Sequence, residues 1–179
     1  TFAVTSIEDD ALDHLWVHAL SWREQAEQDG FRVFERGKNA TLWDSRGDAY
    51  LDGISGLWVV NAGHGREEIA DAMGAQAKKL AYAAVTTFTT EPAARLAAAL
   101  ADLTPGDLNR AFFVSGGSEA VETALKIAKQ VQAMRGFPRR YKIIARRDSY
   151  HGMTMGAMSL TEGRNETWFG PFQYGVYHA

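Results

Sequence analysis

The chain has 179 residues, 46% hydrophobic and 23% charged, with a net charge of −3; this is the composition of an ordinary globular domain, and no Lys/Arg cluster is dense enough for nucleic acid. It has no cysteine, which excludes disulfides and thiolate metal sites, and its five histidines and its carboxylates show no metal-ligand spacing. No run of about 18 apolar residues predicts a membrane span, and the acidic Glu8-Asp9-Asp10 segment is unlike a signal peptide, so a cytoplasmic enzyme domain is expected.

Residues 8–28 read as a helix, with Leu12, Leu15, Trp16, Ala19 and Leu20 at roughly helical spacing and Gly30 as its end. Three short runs follow, Phe31–Glu35, Thr41–Asp44 and Ala49–Asp52, separated by the turn signals Gly37-Lys38-Asn39 and Ser45-Arg46-Gly47. They predict an antiparallel meander. Residues 53–65 are rich in glycine yet apolar, which predicts a buried loop in close approach to a ligand or partner. Within it His64, between two glycines, reads as a loop hydrogen-bonder. Glu67–Leu80 has a helical apolar face of Ile69, Ala70, Met73 and Ala77, and Thr90-Glu91-Pro92 starts a helix that runs to Leu103.

From Ala111 the order is strand, helix, strand, helix, which predicts a mostly parallel sheet. The strand Ala111–Val114 ends in Ser115-Gly116-Gly117-Ser118, and a helix follows with Val121, Ala124, Leu125, Ala128 and Val131 inward. Glycine lets backbone N–H groups approach an anion, and a helix N-terminus adds partial positive charge. The same four residues also fit a plain β–α turn with a serine cap, so alone they leave both readings open. A second run, Tyr141–Ala145, leads to Tyr150-His151-Gly152, and Val176-Tyr177 starts another strand. If the two runs are parallel neighbours, a phosphate cradle and an aromatic ring lie together at one sheet edge. A sheet with two evident parallel strands is incomplete, which predicts the front part of a longer protein.

In order, Leu42-Trp43-Asp44, Gly47-Asp48-Ala49-Tyr50-Leu51-Asp52, Gly63-His64-Gly65, Phe112–Ala120 and Tyr150-His151-Gly152 resemble the class III aminotransferases. These are fold-type I α/β enzymes that use pyridoxal 5′-phosphate (PLP), and the likeness is strongest to the ω-transaminases. Ser115-Gly116 stands where many relatives have Asn-Ser, which keeps the turn and alters one side-chain donor. The resemblance implies residues 1–60 in the small domain and 61–179 in the first part of the large, mostly parallel-sheet domain. It implies that Gly116, Gly117 and Ser118 hold the PLP phosphate, that Tyr150 stacks on the pyridine ring, and that His151 and Gly152 complete the cofactor-binding set. Trp58 would line the substrate pocket, and Phe88 would approach it near a homodimer interface. The implied reaction moves an amino group from an amine or ω-amino acid donor to a keto acid such as pyruvate. Another class III enzyme, a dialkylglycine decarboxylase or an aminomutase, and a non-catalytic phosphate-binding module are the alternatives. Lys38, Lys78, Lys79, Lys126, Lys129 and Lys142 do not match the motif of the family's Schiff-base lysine, so that lysine is expected downstream.

Overall fold

The computed structural model describes residues 6–18, 21–27, 30–84, 86–162, 169–172 and 174–179. It forms two compact units, Thr1–Phe88 and Thr89–Ala179. None of the described helices is long and apolar enough to cross a membrane.

In the first unit, α1 (Ile7–His14) opens on a capping box: the Asp9 N–H donates to the Ser6 hydroxyl oxygen at 3.1 Å and the Ser6 N–H to the Asp9 carboxylate at 3.2 Å. The expected helix over 8–28 is broken. Leu15 is extended, and α2 is confined to Trp22–Glu27. Leu15 and Trp16 are exposed, so no packing offsets the poor helix propensity of Trp16, Val17 and His18. Ala19 and Leu20 lie outside the described residues.

The meander forms as expected, in the antiparallel order β1 (Phe34–Lys38), β2 (Thr41–Asp44) and β3 (Ala49–Leu51). Its first strand sits three residues later than Phe31–Glu35, so Gly37 and Lys38 belong to the ladder and Asn39, at φ 52°, makes the turn. Gly37 is glycine because His64 fills its side-chain space: a Cβ there would stand 2.8 Å from His64 Cβ. Asp44 is buried at the end of β2 and accepts from the Arg46 and Asp48 N–H groups and from the Tyr50 hydroxyl.

After β3 the chain enters α3 (Ser55–Trp58), a single turn with left-handed φ throughout: 51°, 57°, 68° and 67° at Ser55, Gly56, Leu57 and Trp58. For non-glycine residues this costs roughly 1–2 kcal/mol each. The segment is not the buried loop that composition predicts. Ile54, Leu57, Trp58 and Val59 are exposed, because no described element of this unit covers them. The unit continues with α4 (Glu67–Lys79), acidic in its first turn and basic in its last, in keeping with the helix dipole.

The second unit holds α5 (Glu91–Leu103), α6 (Gly117–Met134), β4 (Ile143–Ala145), α7 (Met155–Met158) and β5 (Val176–His178). β4 and β5 pair in parallel, as the alternation predicts. Ala111–Val114 forms no strand and has no ladder partner among the described residues, so it is not the strand beside β4 that was expected. A strand needs a neighbour to satisfy its backbone, and Phe112, Phe113 and Val114 stay exposed. The small core is Ala145, Ala157, Met158 and Leu160. It sits where α7 packs on α6 and where His178 Nε2 donates to the Leu160 carbonyl at 3.0 Å. The apolar stripes of α4, α5 and α6 bury no residue.

Candidate functional site

The glycine turn and the Tyr-His-Gly loop meet in the second unit. Gly116 caps α6 with extended backbone (φ −166°, ψ 173°) and makes no side-chain cap bond to the first helical turn. The N–H groups of Gly117 and Ser118 therefore have no acceptor among the described residues. A Cβ built on Gly116 or Gly117 would meet nothing within 4 Å, so the turn is open on the side a ligand would approach. The carboxylate of Glu119, in the first turn of α6, accepts the Ser115 N–H at 2.8 Å.

Ser118 joins the two loops. Its hydroxyl oxygen accepts the Met153 N–H at 2.9 Å, which leaves its own proton free to donate. Gly152, at φ 134°, lies against it so closely that a Cβ would stand 2.6 Å from Ser118 Oγ and 2.8 Å from Ala157 Cβ. Here glycine answers both a backbone angle and a contact. Glu122, one helical turn beyond Ser118, accepts from the Thr154 hydroxyl at 2.7 Å and from the Gly156 N–H at 3.0 Å. The His151 N–H donates to the Thr161 hydroxyl at 3.0 Å, and His151 Nε2 is buried without a hydrogen-bond partner. Tyr150 is 65% exposed and borders a cavity of about 240 Å³ with Asp148, Ser149, Thr161 and Glu162. Chemically, this is a place where an oxyanion can meet two unpaired backbone donors and a hydroxyl, with a flat ring and an unpaired imidazole nitrogen on the loop docked beside them.

Trp58 and Phe88 belong to the first unit and are exposed there, at 74% and 67%. Trp58 ends the left-handed turn. Asp52 Oδ2 accepts the Gly56 N–H at 2.8 Å and faces His64 Nε2 at 2.7 Å, while Oδ1 accepts the Ile54 N–H at 3.3 Å. The His64 bond holds the Asp52 carboxyl below its ordinary 3.8; burial opposes this, and the Gly56 and Ile54 N–H groups add to it. His64 is thus a loop hydrogen-bonder, as its glycine setting predicts. Its backbone also exchanges bonds with Asn39 at 2.8 and 2.9 Å, which ties the loop to the meander.

The sequence of the class III aminotransferase family matches residues 23–179. The chain belongs to this family. A probable aminotransferase of Mycobacterium tuberculosis is 50% identical over 129 residues, 72% of this chain and 28% of that protein. A hypotaurine/taurine–pyruvate aminotransferase of Paracoccus denitrificans is 39% identical over 165 residues, 90% of this chain and 35% of that protein. Among solved structures, an (S)-enantioselective ω-transaminase of Thermomicrobium roseum superposes with a TM-score of 0.91 at 39% identity, over 96% of this chain and 38% of that one. An aminotransferase of Vibrio fluvialis in its PMP-bound form gives 0.89 at 30%, over 98% of this chain and 39% of that one. The chain therefore spans about a third of the length of such relatives, and its fold is part of the PLP fold-type I transaminase fold.

Asp52, Glu122 and Thr161 are not among the site residues expected from the sequence. Asp52 closes a predicted strand, and Glu122 reads as a charge near a helix start that favours the dipole but opposes an anion. Their partners lie 12 and about 34 residues away, beyond the reach of any local pattern.

Proposed function

We propose that this chain forms the cofactor-binding part of a PLP-dependent ω-aminotransferase, one that moves an amino group from an amine or ω-amino acid to a keto acid such as pyruvate. The observation that carries the reading is the junction at Ser118 and Gly152, which locks an open glycine turn to the Tyr-His-Gly loop. Gly116, Gly117 and Ser118 would hold the phosphate, through the N–H groups of Gly117 and Ser118 and the Ser118 hydroxyl proton. Tyr150 would stack on the ring, with His151 and Gly152 fixing the loop that carries it. Trp58 and Phe88 would line the substrate pocket. In this reading residues 1–60 contribute to the small domain and 61–179 to the large one, in a cytoplasmic homodimer. The exposed stripes of α4, α5 and α6 support an assembly that buries them.

When bound, PLP supplies an electron sink for the charge that develops as a C–H bond beside the amine is broken. What these residues supply is placement. Unpaired N–H groups fix the phosphate without proton transfer, and the tyrosine face restricts tilt of the ring. The lysine that attaches the cofactor belongs to a segment beyond Ala179 in this reading. The experiment is borohydride reduction of the full-length protein with PLP, followed by peptide mapping, beside an assay of amino transfer from an amine to pyruvate. A reduced adduct beyond Ala179 together with turnover is expected. An adduct on one of the chain's own six lysines, or no cofactor absorbance at all, would overturn the reading.

A further inference from the structure

The left-handed turn at Ser55–Trp58 needs something to hold it. Three of its four residues carry side chains at φ values that L-residues avoid. Asp52 is placed to do this. Its side chain is only 5% exposed, and its two oxygens accept the N–H groups of Ile54 and Gly56, at the entrance and in the middle of the turn. His64 holds the same carboxylate at 2.7 Å. His64 is itself fixed by the paired backbone bonds to Asn39 and by its fit into the space above Gly37. An unbroken series of contacts thus runs from the β1–β2 hairpin through His64 and Asp52 to the turn that ends on Trp58. Trp58 closes that turn by donating its N–H to the Ile54 carbonyl at 2.8 Å.

We propose that Asp52, oriented by His64, is a positioning residue that sets the direction of Trp58 and through it the size of amine the enzyme accepts. The size selectivity rests on the reading of Trp58 as a pocket residue; the positioning of Trp58 does not. A carboxylate that bonds two backbone N–H groups and an imidazole at once is over-committed for a surface loop. Its location makes the backbone angle at Trp58 depend on a side chain six residues earlier.

The test uses the full-length, PLP-loaded enzyme labelled with 5-fluorotryptophan, with the Trp58 resonance assigned by its loss in Trp58→Phe. Asp52→Ala is expected to shift and broaden that resonance and to raise the kcat/KM ratio of a bulky over a small amine by about tenfold. Asp52→Asn, which keeps the shape and one acceptor oxygen, is expected to have a smaller effect in the same direction. It carries the test if the alanine variant does not fold. In a Trp58→Gly background the Asp52 substitution should change the ratio by less than about twofold, since both act through one side chain. An unmoved Trp58 resonance in the folded Asp52 variants would overturn the inference, as would an equal change in selectivity with and without Trp58. If Trp58→Gly itself leaves the ratio unchanged, the pocket reading fails, and the fluorine resonance still decides whether Asp52 positions Trp58.

Discussion

At Ser55–Trp58 the backbone is bent into the left-handed region, and a carboxylate with almost no exposure holds it there. At Ser115–Ser118 the cap residue is extended, open space stands beside both glycines, and the cap makes no side-chain bond to the helix. The difference lies in where the backbone donors go. Around the first turn the N–H groups of Ile54, Gly56, Trp58, Val59 and Val60 all find acceptors within the protein. At the second, the Gly117 and Ser118 N–H groups are left for something else. The first turn uses its donors to hold its own shape, whereas the second keeps the free donors of a helix N-terminus, which the proposed phosphate would take. Glycine serves both, for different reasons: at Gly56 it relieves a left-handed angle, at Gly116 and Gly117 it leaves room.

The binding turn breaks most readily where it is joined to its neighbour. Gly152→Ala places a methyl group on Ser118 Oγ and Ala157 at a φ of 134°. Overpacking and backbone strain together should cost about 2–4 kcal/mol. Thermal unfolding of the full-length protein should show a large fall in Tm, with loss of retained PLP. The equivalent change in the shape-holding turn, Gly56→Ala, meets the Val60 side chain at 2.9 Å. It should lower stability without weakening PLP binding, which separates the two turns directly.

Ser118→Ala tests the binding turn more gently. It removes a hydroxyl that accepts from Met153 and, in the proposed reading, donates to phosphate. A hydrogen bond to a charged group contributes roughly 1.5–3 kcal/mol, so the PLP Kd should rise by about tenfold or more. Equal dissociation constants for variant and parent, by equilibrium dialysis, would remove Ser118 from the site. Tyr150 should matter through its ring. Tyr150→Ala should weaken PLP binding and shift the cofactor's absorbance, and Tyr150→Phe should do so far less. Equal damage from both would make the hydroxyl the working part.

Much of this molecule follows from local pattern. β2 and the helices at Glu67–Lys79 and Glu91–Leu103 stand within one residue of their expected ends, because alternation, a proline at the helix start and apolar spacing are local properties. The break in the expected 8–28 helix is local, but other departures involve distant partners. Gly37 looks like a turn signal and is a strand residue, because the neighbour that demands glycine is His64. Ala111–Val114 has the composition of a strand, yet a ladder needs a second strand. The most buried stretch, Ala157 to Thr161, has no periodicity to announce it. The glycine turn and Tyr-His-Gly stand as motifs in the sequence, and their meeting at Ser118 and Gly152 depends on a contact across 35 residues. The left-handed turn had no signal beyond its glycines.

The smallest effect separates the two turns by pH. Asp52 holds the shape turn as an anion, and its carboxyl titrates below the ordinary 3.8 because His64 and two backbone N–H groups favour the charged form. A group whose folded value is depressed stabilises the protein above its unfolded value. That contribution is lost as pH falls through the folded one. The first unit should therefore lose stability from just above pH 3.8 downward, and Asp44, also held below 3.8 by Asp48, Tyr50, Arg46 and Arg32 against its burial, should add to the loss. Asp52→Asn removes the Asp52 contribution and leaves that of Asp44. Its Tm should start lower at neutral pH and decline less steeply between pH 5 and 3 (roughly the span over which such a group titrates). Parallel Tm curves for variant and parent over that range would show that Asp52 does not hold the turn as a carboxylate. The Ser118→Ala variant, which changes no titrating group, should keep the parent's slope, and that contrast distinguishes the charge-held turn from the open one.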